Sequence, residues 1–259
     1  MSSSLEKHST YQNIAVRSVP PANGWQWIAD GFRLFWKNPL MWLVLFLVYL
    51  LIIVPISLIP VVGSVAGTLL APVFSAGLMW GCKALSMDHD LEINHLFAGF
   101  KHNTKQLVAT GVLYFLGLLM IALVVAGGID KPVMSAIMAG QTLTPDQANS
   151  IMLPMLFALL LLMPLLMAYW FAPVLVGLSD IKAVEAMKLS FKASLHNILP
   201  MLVYSLIIVG LMVVAIIPFG LGLLVVIPTM MTSLYTSYKD IFVTNLELEA
   251  EWAEWDGRN

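Results

Sequence analysis

Long stretches without charge alternate with short polar stretches along this chain. Four stretches contain no Lys, Arg, Asp or Glu, namely residues 38–82, 106–129, 147–179 and 193–238. A helix needs about 20 apolar residues to cross the hydrocarbon core of a bilayer. The second and third stretches therefore fit one crossing each, whereas the first and fourth are long enough for two.

The first and fourth stretches contain proline and glycine near the middle. Pro60 and Gly63 interrupt the first stretch, and Pro218 and Gly220 interrupt the fourth. Because proline has no backbone N–H and glycine tolerates positive φ, such clusters mark turns. We therefore predict six transmembrane helices, at about residues 39–59, 65–86, 106–127, 151–177, 198–217 and 221–239.

Composition agrees with a membrane protein. Hydrophobic residues make up 59% of the chain and charged residues 11%, whereas a soluble domain carries about 25% charged residues. We predict an all-α polytopic membrane bundle over residues 23–243. A polar segment, residues 1–22, precedes it, and an acidic tail, residues 244–259, follows it.

The distribution of basic residues predicts the orientation of the bundle. With six spans, every Lys and Arg except Lys131 lies on one side of the membrane. Cytoplasmic loops of membrane proteins carry an excess of Lys and Arg. We therefore expect both termini, and the acidic tail, in the cytoplasm.

Three polar segments share a pattern, and each leads into an odd-numbered span. Each has Phe, a basic residue, three variable residues, Lys or His, and an amide, at residues 32–38, 100–106 and 191–197. The even-numbered spans each carry a proline, at Pro72, Pro173 and Pro228. We interpret this as three copies of one unit, an amphipathic cytoplasmic helix followed by a transmembrane hairpin. Chance similarity of Phe-basic pairs is the alternative.

Apolar residues at helical spacing predict the three amphipathic helices. The stripes are Trp25, Ile28, Phe32 and Phe35; Ile93, Leu96, Phe97 and Phe100; and Val184, Met187, Phe191 and Leu195. Such a stripe beside basic residues suits a helix in the lipid headgroup layer. The alternative is a helix that packs on the bundle from the soluble side. On the first interpretation, the candidate headgroup contacts are Arg33, Lys37, Lys101, Lys105 and Lys192.

Several motifs resemble known families of membrane proteins. Gly24-Trp25-Gln26-Trp27-Ile28, Gly31-Phe32-Arg33-Leu34-Phe35 and His95-Leu96-Phe97-Ala98-Gly99-Phe100 resemble an uncharacterised proteobacterial family of six-helix inner-membrane proteins. Glu185-Ala186-Met187-Lys188-Leu189-Ser190, followed by Asn197, is distantly similar to the membrane domain fused to some glycerophosphodiester phosphodiesterases. The resemblance implies a bacterial inner membrane, and it implies no activity.

Residues for chemistry are sparse. Zinc-helix, phosphate-loop and dinucleotide motifs are absent from the sequence, so we expect no cofactor. His89, His95 and His102 lie near three acidic residues, but their spacing does not place two ligands one helical turn apart, and we predict no metal site. We expect no enzyme activity; the alternative is an interfacial lipid enzyme that uses Asp180, Glu185 or His196.

The sequence favours two functions, and each function depends on different residues. The spans carry no charge near their centres, which disfavours a proton-coupled pump. The first hypothesis is a non-enzymatic protein that organises membrane lipids or a protein partner through its cytoplasmic helices, without nucleic acid. The second is a carrier for hydrophobic or lipid-like molecules, with a cavity at Pro164 and Tyr169 in the long fourth span. A packing kink is the simpler interpretation of Pro164.

Overall fold

The computed structural model describes residues 14–242, and this part of the chain is all-helical. The helices are α1 (Asn23–Trp36), α2 (Pro39–Ser57), α3 (Val62–Ser86), α4 (Ile93–Leu96), α5 (Thr104–Gly128), α6 (Lys131–Met138), α7 (Pro145–Trp170), α8 (Ala172–Ser179), α9 (Ala183–His196), α10 (Ile198–Ile216) and α11 (Leu223–Phe242). A 3₁₀ turn, Ala98–Phe100, follows α4. The acidic tail and most of the polar N-terminal segment lie outside the described residues.

Five helical segments are long and apolar enough to cross a membrane. They are α2, α3, α5, the continuous pair α7 and α8 (Pro145–Ser179), and α10. These segments coincide with the first five predicted spans. Of the predicted turn residues, Pro60, Pro218 and Gly220 lie between helices, whereas Gly63 is the second residue of α3. Gly220 has φ 79°, a conformation that glycine adopts without steric cost.

Local sequence explains where two of these helices begin. Asn38 caps α2, since its side-chain oxygen accepts a hydrogen bond from Met41 N at 3.2 Å. Thr144 and Gln147 form a capping box at α7, in which each side chain accepts from the other's backbone N–H. Such caps satisfy N–H groups that have no partner within the helix.

The sixth predicted span, 221–239, is helical but more polar than the other five. It corresponds to α11, which is not among the five segments that are long and apolar enough to cross a membrane. Its hydroxyls bond to α1: Thr232 Oγ1 donates to Gly31 O at 2.8 Å and Thr236 Oγ1 donates to Trp27 O at 2.8 Å. The polar residues therefore serve a helix contact, and the count of six spans stays a prediction.

The second predicted amphipathic helix is broken in the structure. Residues 93–100 form the four-residue helix α4 and the 3₁₀ turn instead of one continuous helix. The turn brings the backbone of Gly99 against α3, where a Cβ atom would overlap the carbonyl oxygen of Val73. This close backbone contact, which only glycine allows, takes the place of the helical stripe expected from the sequence.

Hydrogen bonds gather the polar helix ends at one end of the bundle. Lys37 Nζ, before α2, donates to Leu85 O near the end of α3 at 2.8 Å. The Ser86 and Tyr235 hydroxyls, on α3 and α11, lie 2.9 Å apart. The start of α2 therefore lies beside the end of α3, so these two helices run antiparallel, and the last turns of α11 lie at the same end.

Asn197 joins the segment before α1 to this end of the bundle. Its buried side chain accepts from Val19 N at 2.9 Å and donates to Arg17 O and Ala193 O, both at 3.0 Å. Asp240 adds a second attachment, because it accepts from Asn23 Nδ2 at 2.7 Å and pairs with the Arg17 guanidinium. The segment is therefore held at two points.

We predict that Asn197→Ala destabilises the fold by about 1–3 kcal/mol, because it leaves buried backbone groups without partners. Thermal unfolding in detergent measures this change. The same variant should also expose the bond after Arg17 to trypsin. Asn149→Ala is the matched control, since Asn149 lies exposed on α7. Equal stability of the two variants would contradict the assigned role of Asn197.

Candidate functional site

Helix α9 packs on the bundle through a face of small residues. Ala186, Ser190 and Ala193 are fully buried. Ser190 Oγ donates to Met167 O at 2.7 Å and accepts from Phe171 N at 2.9 Å. These bonds lie where α7 ends, so the serine fixes α9 at the junction between α7 and α8.

The opposite face of α9 exposes large apolar side chains. Val184, Phe191 and Leu195 are 51%, 37% and 52% exposed. At about 100° per residue they share one face, and Lys188 and Lys192 lie along one edge of it. We call these three apolar residues the α9 stripe. An exposed apolar stripe edged by lysines is typical of a helix in the headgroup layer.

Helix α1 has the same two-faced design. Its inner face, which includes Trp27, Ile28 and Phe35, is buried against α10 and α11. Its outer face exposes three aromatic residues, the α1 stripe: Trp25, Phe32 and Trp36. The predicted stripe is therefore divided, because Ile28 and Phe35 face the bundle. Packing on the bundle and an outward apolar face occur on the same helix.

The predicted headgroup contacts have different surroundings. Arg33 is 80% exposed at its side chain and pairs with Asp30 at 3.0 Å. Lys101, Lys105 and Lys192 are exposed. Lys37 instead makes contacts within the protein, to Leu85 O at 2.8 Å and to Asp88 Oδ1 at 2.5 Å. The hydrogen bond and the charge of Lys37 hold the pKa of the Asp88 carboxyl below its ordinary value.

A half-open cavity of about 440 Å³ lies between the helices of the bundle. Tyr169 lines it, whereas Pro164 is exposed and is not among its lining residues. The lining comes from seven helices and includes Trp42 and Tyr49 (α2), Ala71, Phe74 and Ser75 (α3), Tyr114 (α5), Tyr169 and Trp170 (α7), Pro173 (α8), Tyr204 (α10), and Pro228 and Met231 (α11). The predicted cavity residues are therefore separated.

Aromatic and aliphatic side chains form most of the cavity wall, with a few hydroxyls among them. The rings of Tyr114 and Tyr169 stack with centroids 4.2 Å apart, and Tyr204 OH lies 3.1 Å from Ser233 Oγ. No Asp, Glu, Lys, Arg or His is among the lining residues that the structure describes. The arrangement suits an uncharged, largely apolar molecule. The cavity volume also falls within the roughly 300–1,000 Å³ of ligand pockets.

The histidine-rich segment lines a separate polar groove at the basic end. His89, His95 and His102 all line it. His102 stacks on Trp80 at 5.1 Å, and burial together with Lys101 lowers the pKa of its imidazole. Within residues 14–242, no three His, Cys, Asp or Glu side chains are grouped to hold a metal ion.

The residues that an interfacial lipid enzyme would use lie apart, after α8 and along α9. Asp180 follows α8, Glu185 is in the first turn of α9, and His196 is its last residue. At 1.5 Å per residue, Glu185 and His196 are about 16 Å apart along the axis, which is too far for a hydrogen bond. His196 Nδ1 lies 2.8 Å from Lys192 O instead.

These features define an α-helical membrane protein with an apolar cavity between its helices and exposed apolar faces on two helices. The family described as "Domain of unknown function (DUF7847)" matches residues 97–248, and the chain belongs to it. A protein of Burkholderia thailandensis named as a probable inner membrane protein is 32% identical over 197 residues, which cover 73% of each chain. No solved structure matches.

These matches confirm the resemblance to an uncharacterised family of membrane proteins. They do not support the distant similarity to the membrane domain fused to phosphodiesterases, which stays a prediction. Sequence reasoning missed most of the cavity wall, above all Trp42, Tyr49 and Tyr204. The available clue was the presence of aromatic residues with polar atoms inside otherwise aliphatic spans.

We predict that Lys37→Met raises the pKa of Asp88 toward its ordinary value of about 3.9. A carboxyl whose pKa is lowered by folding stabilises the fold above its ordinary pKa, and that contribution is lost as pH falls through the lowered value. NMR titration of the Asp88 carboxyl carbon measures the change. Arg33→Gln, which removes the partner of Asp30, is the control and should leave the Asp88 pKa unchanged. An unchanged pKa in Lys37→Met would show that Lys37 is not the partner of Asp88.

Proposed function

We propose that this chain is a non-enzymatic, multi-pass protein of the bacterial inner membrane that organises anionic lipids through α1 and α9. The observation that carries this proposal is the α9 stripe, exposed beside Lys188 and Lys192. An apolar face enters the headgroup and acyl boundary, and flanking basic residues attract anionic headgroups. A helix in water would bury such residues instead.

The repeat belongs to this proposal, and the pattern of burial supports it. Each unit has in succession a buried small residue, an exposed Phe and an exposed basic residue: Gly31-Phe32-Arg33, Gly99-Phe100-Lys101 and Ser190-Phe191-Lys192. Seven residues before each Phe is an exposed apolar residue: Trp25, Ile93 and Val184. The second unit keeps this order although its helix is broken.

Packing between the units supports three copies and six spans. The buried small residue of each unit packs against an even-numbered span of the preceding unit. Gly31 meets Ser233 of α11, Gly99 meets Val73 of α3, and Ser190 bonds to Met167 of α7. The units thus follow one another in a ring. The contact of the first unit with the third closes this ring. A ring of hairpins supports the proposal that α11 is the sixth crossing, with both ends of the bundle domain on the basic, cytoplasmic side.

We predict that the exposed basic residues set the preference for anionic lipid. The purified chain in nanodiscs with equal phosphatidylglycerol and phosphatidylcholine should retain phosphatidylglycerol selectively in native mass spectrometry. Replacing Arg33, Lys101, Lys188 and Lys192 by Gln should lower that enrichment at least several-fold, since each basic residue near an anionic surface contributes about 1 kcal/mol.

Lys131→Gln is the control, because Lys131 is also exposed but begins α6, beyond the far end of α5. It should leave the enrichment unchanged. Equal enrichment in the fourfold variant and the wild type would contradict the proposal. A co-purifying protein lost only from the fourfold variant, with lipid enrichment unchanged, would assign these residues to a protein partner instead.

The cavity favours a second candidate function, a carrier for hydrophobic or lipid-like molecules. It is lined by α2, α3, α5, α7, α8, α10 and α11, so a bound molecule would lie between the helices of the bundle. Sites between helices of membrane bundles, away from lipid, are where transporters bind their substrates. Carrier activity requires the cavity to open toward both membrane faces.

We predict that proteoliposomes of the wild type speed the transbilayer movement of a nitrobenzoxadiazole-labelled neutral lipid, followed by dithionite quenching. Ala71→Phe should abolish this effect, because it fills the cavity. Ala122→Phe adds the same ring at an exposed position of α5 and is the matched control. A carrier that works through this cavity would be excluded if the wild type did not speed lipid movement. It would also be excluded if Ala71→Phe left that movement as fast as in the wild type.

A further inference from the structure

The middle of helix α7 has a packed face on one side only. Within residues 155–164, every residue except Ala158 and Leu162 is exposed. These two residues lie one turn apart on one face, and Leu165, three residues further on, meets Gly117 of α5 there. A helix inside a closed ring has a neighbour on each side. Helix α7 therefore lacks a neighbour on the side away from α5.

Helix α10 is the helix that would complete the ring around the cavity. It packs on α1 and α11, whereas α7 and α10 do not pack along their length within the described residues. The rings of Trp170 and Tyr204 meet across this space edge to face, with centroids 6.0 Å apart. We call this space the α7–α10 gap. Because both rings line the cavity, the gap leads from the lipid-facing side of the bundle into the cavity.

The Trp170–Tyr204 pair lies at the depth of lipid chains. Trp170 is nine residues before Ser179, the end of α8, and Tyr204 is six residues after Ile198, the start of α10. Ser179 Oγ lies 2.7 Å from Tyr238 OH, in the last turns of α11, so these helix ends lie at the basic end of the bundle. At 1.5 Å per residue, the pair is about 9–14 Å from that end. Half of the hydrocarbon core is about 15 Å thick, so acyl chains of the nearer leaflet surround the gap.

We propose that an acyl chain of a membrane lipid enters the cavity laterally, through the α7–α10 gap, and binds against its aromatic wall. No described residue of the wall carries a charge, so a hydrocarbon chain leaves no charged group without a partner there. Helix α9 packs on α7 and leads into α10, so it crosses the base of the gap. Its exposed lysines, Lys188 and Lys192, would then lie near the headgroup of the bound lipid.

The proposal rests on the cavity of the second candidate function, but it requires binding only and no transport. A chain bound in the cavity without faster lipid movement would exclude the carrier and leave this site standing. Faster lipid movement without a chain in the cavity would overturn the present proposal alone.

A photoreactive lipid tests whether a chain reaches the cavity. The probe is a phosphatidylcholine with a diazirine near the middle of one acyl chain. It is mixed into proteoliposomes that hold the full chain and is activated by ultraviolet light, and peptide mass spectrometry locates the adducts. Ala71, Ser75 and Leu78 report entry, because they line the cavity and no residue from 65 to 86 of α3 is exposed.

The wild type should form adducts at these three residues. Leu166 lines the cavity on α7, one turn before Trp170, so Leu166→Trp narrows the gap and should lower the adducts on α3 several-fold. Trp170→Ala removes one ring from the pair across the gap and should raise them above the wild-type level. Because the two changes have opposite signs, loss of the fold does not explain both.

Leu161→Trp is the matched control. Leu161 is 40% exposed and precedes Leu166 by five residues, which turn the helix by about 140°, so its side chain faces away from the cavity. This variant should leave the adducts on α3 unchanged. Absence of adducts at Ala71, Ser75 and Leu78 in the wild type would overturn the proposal. Adducts that stay at the wild-type level in Leu166→Trp, or that fall in Trp170→Ala, would also overturn it.

Discussion

Close contact between small residues and a neighbouring backbone holds the interfacial segments on this bundle. A Cβ atom at Gly31 would lie 2.6 Å from Ser233 N, and one at Gly99 would overlap the carbonyl of Val73. Ser190 uses its hydroxyl in the same role, with a bond to Met167 O. Within a bilayer the hydrophobic effect does not drive helices together, so close approach and polar bonds supply the attraction. Each contact fixes the segment that precedes a long apolar helix against another long helix.

The same contacts decide which side chains face outward. When the small residues of α9 face the bundle, the helical period turns Val184, Phe191 and Leu195 away from it. Helix α1 follows the same rule with Gly31 inside and Phe32 outside. An amphipathic stripe read from the sequence is therefore ambiguous, since both a bundle face and a lipid face are apolar. Residue size resolves the ambiguity, because small residues mark the face of close approach.

Charge gaps and turn residues were sufficient to predict five spans, because a bilayer permits few alternatives for an uncharged stretch. The sequence was less informative where tertiary contact decides, as in the turn at Gly99 and the polar residues of α11. The cavity could not be predicted, since its wall joins helices far apart in the chain. Pro164 and Tyr169 show the reason within one helix: five residues turn an α-helix by about 140° from the starting direction, so Tyr169 faces the cavity while Pro164 faces out.

Residues that touch or adjoin the cavity wall also contact α1 and the segment of Phe100, so the cavity and these segments are physically connected. Ser233 meets Gly31 of α1 through its backbone, while its hydroxyl lies 3.1 Å from Tyr204 OH in the cavity wall. On α3, Val73 meets Gly99, and the next residue along the chain, Phe74, lines the cavity. Packed side chains transmit displacements because they leave little free volume. A ligand that moved Tyr204 or Phe74 would therefore act on the contacts that hold α1 and the segment of Phe100 against the bundle.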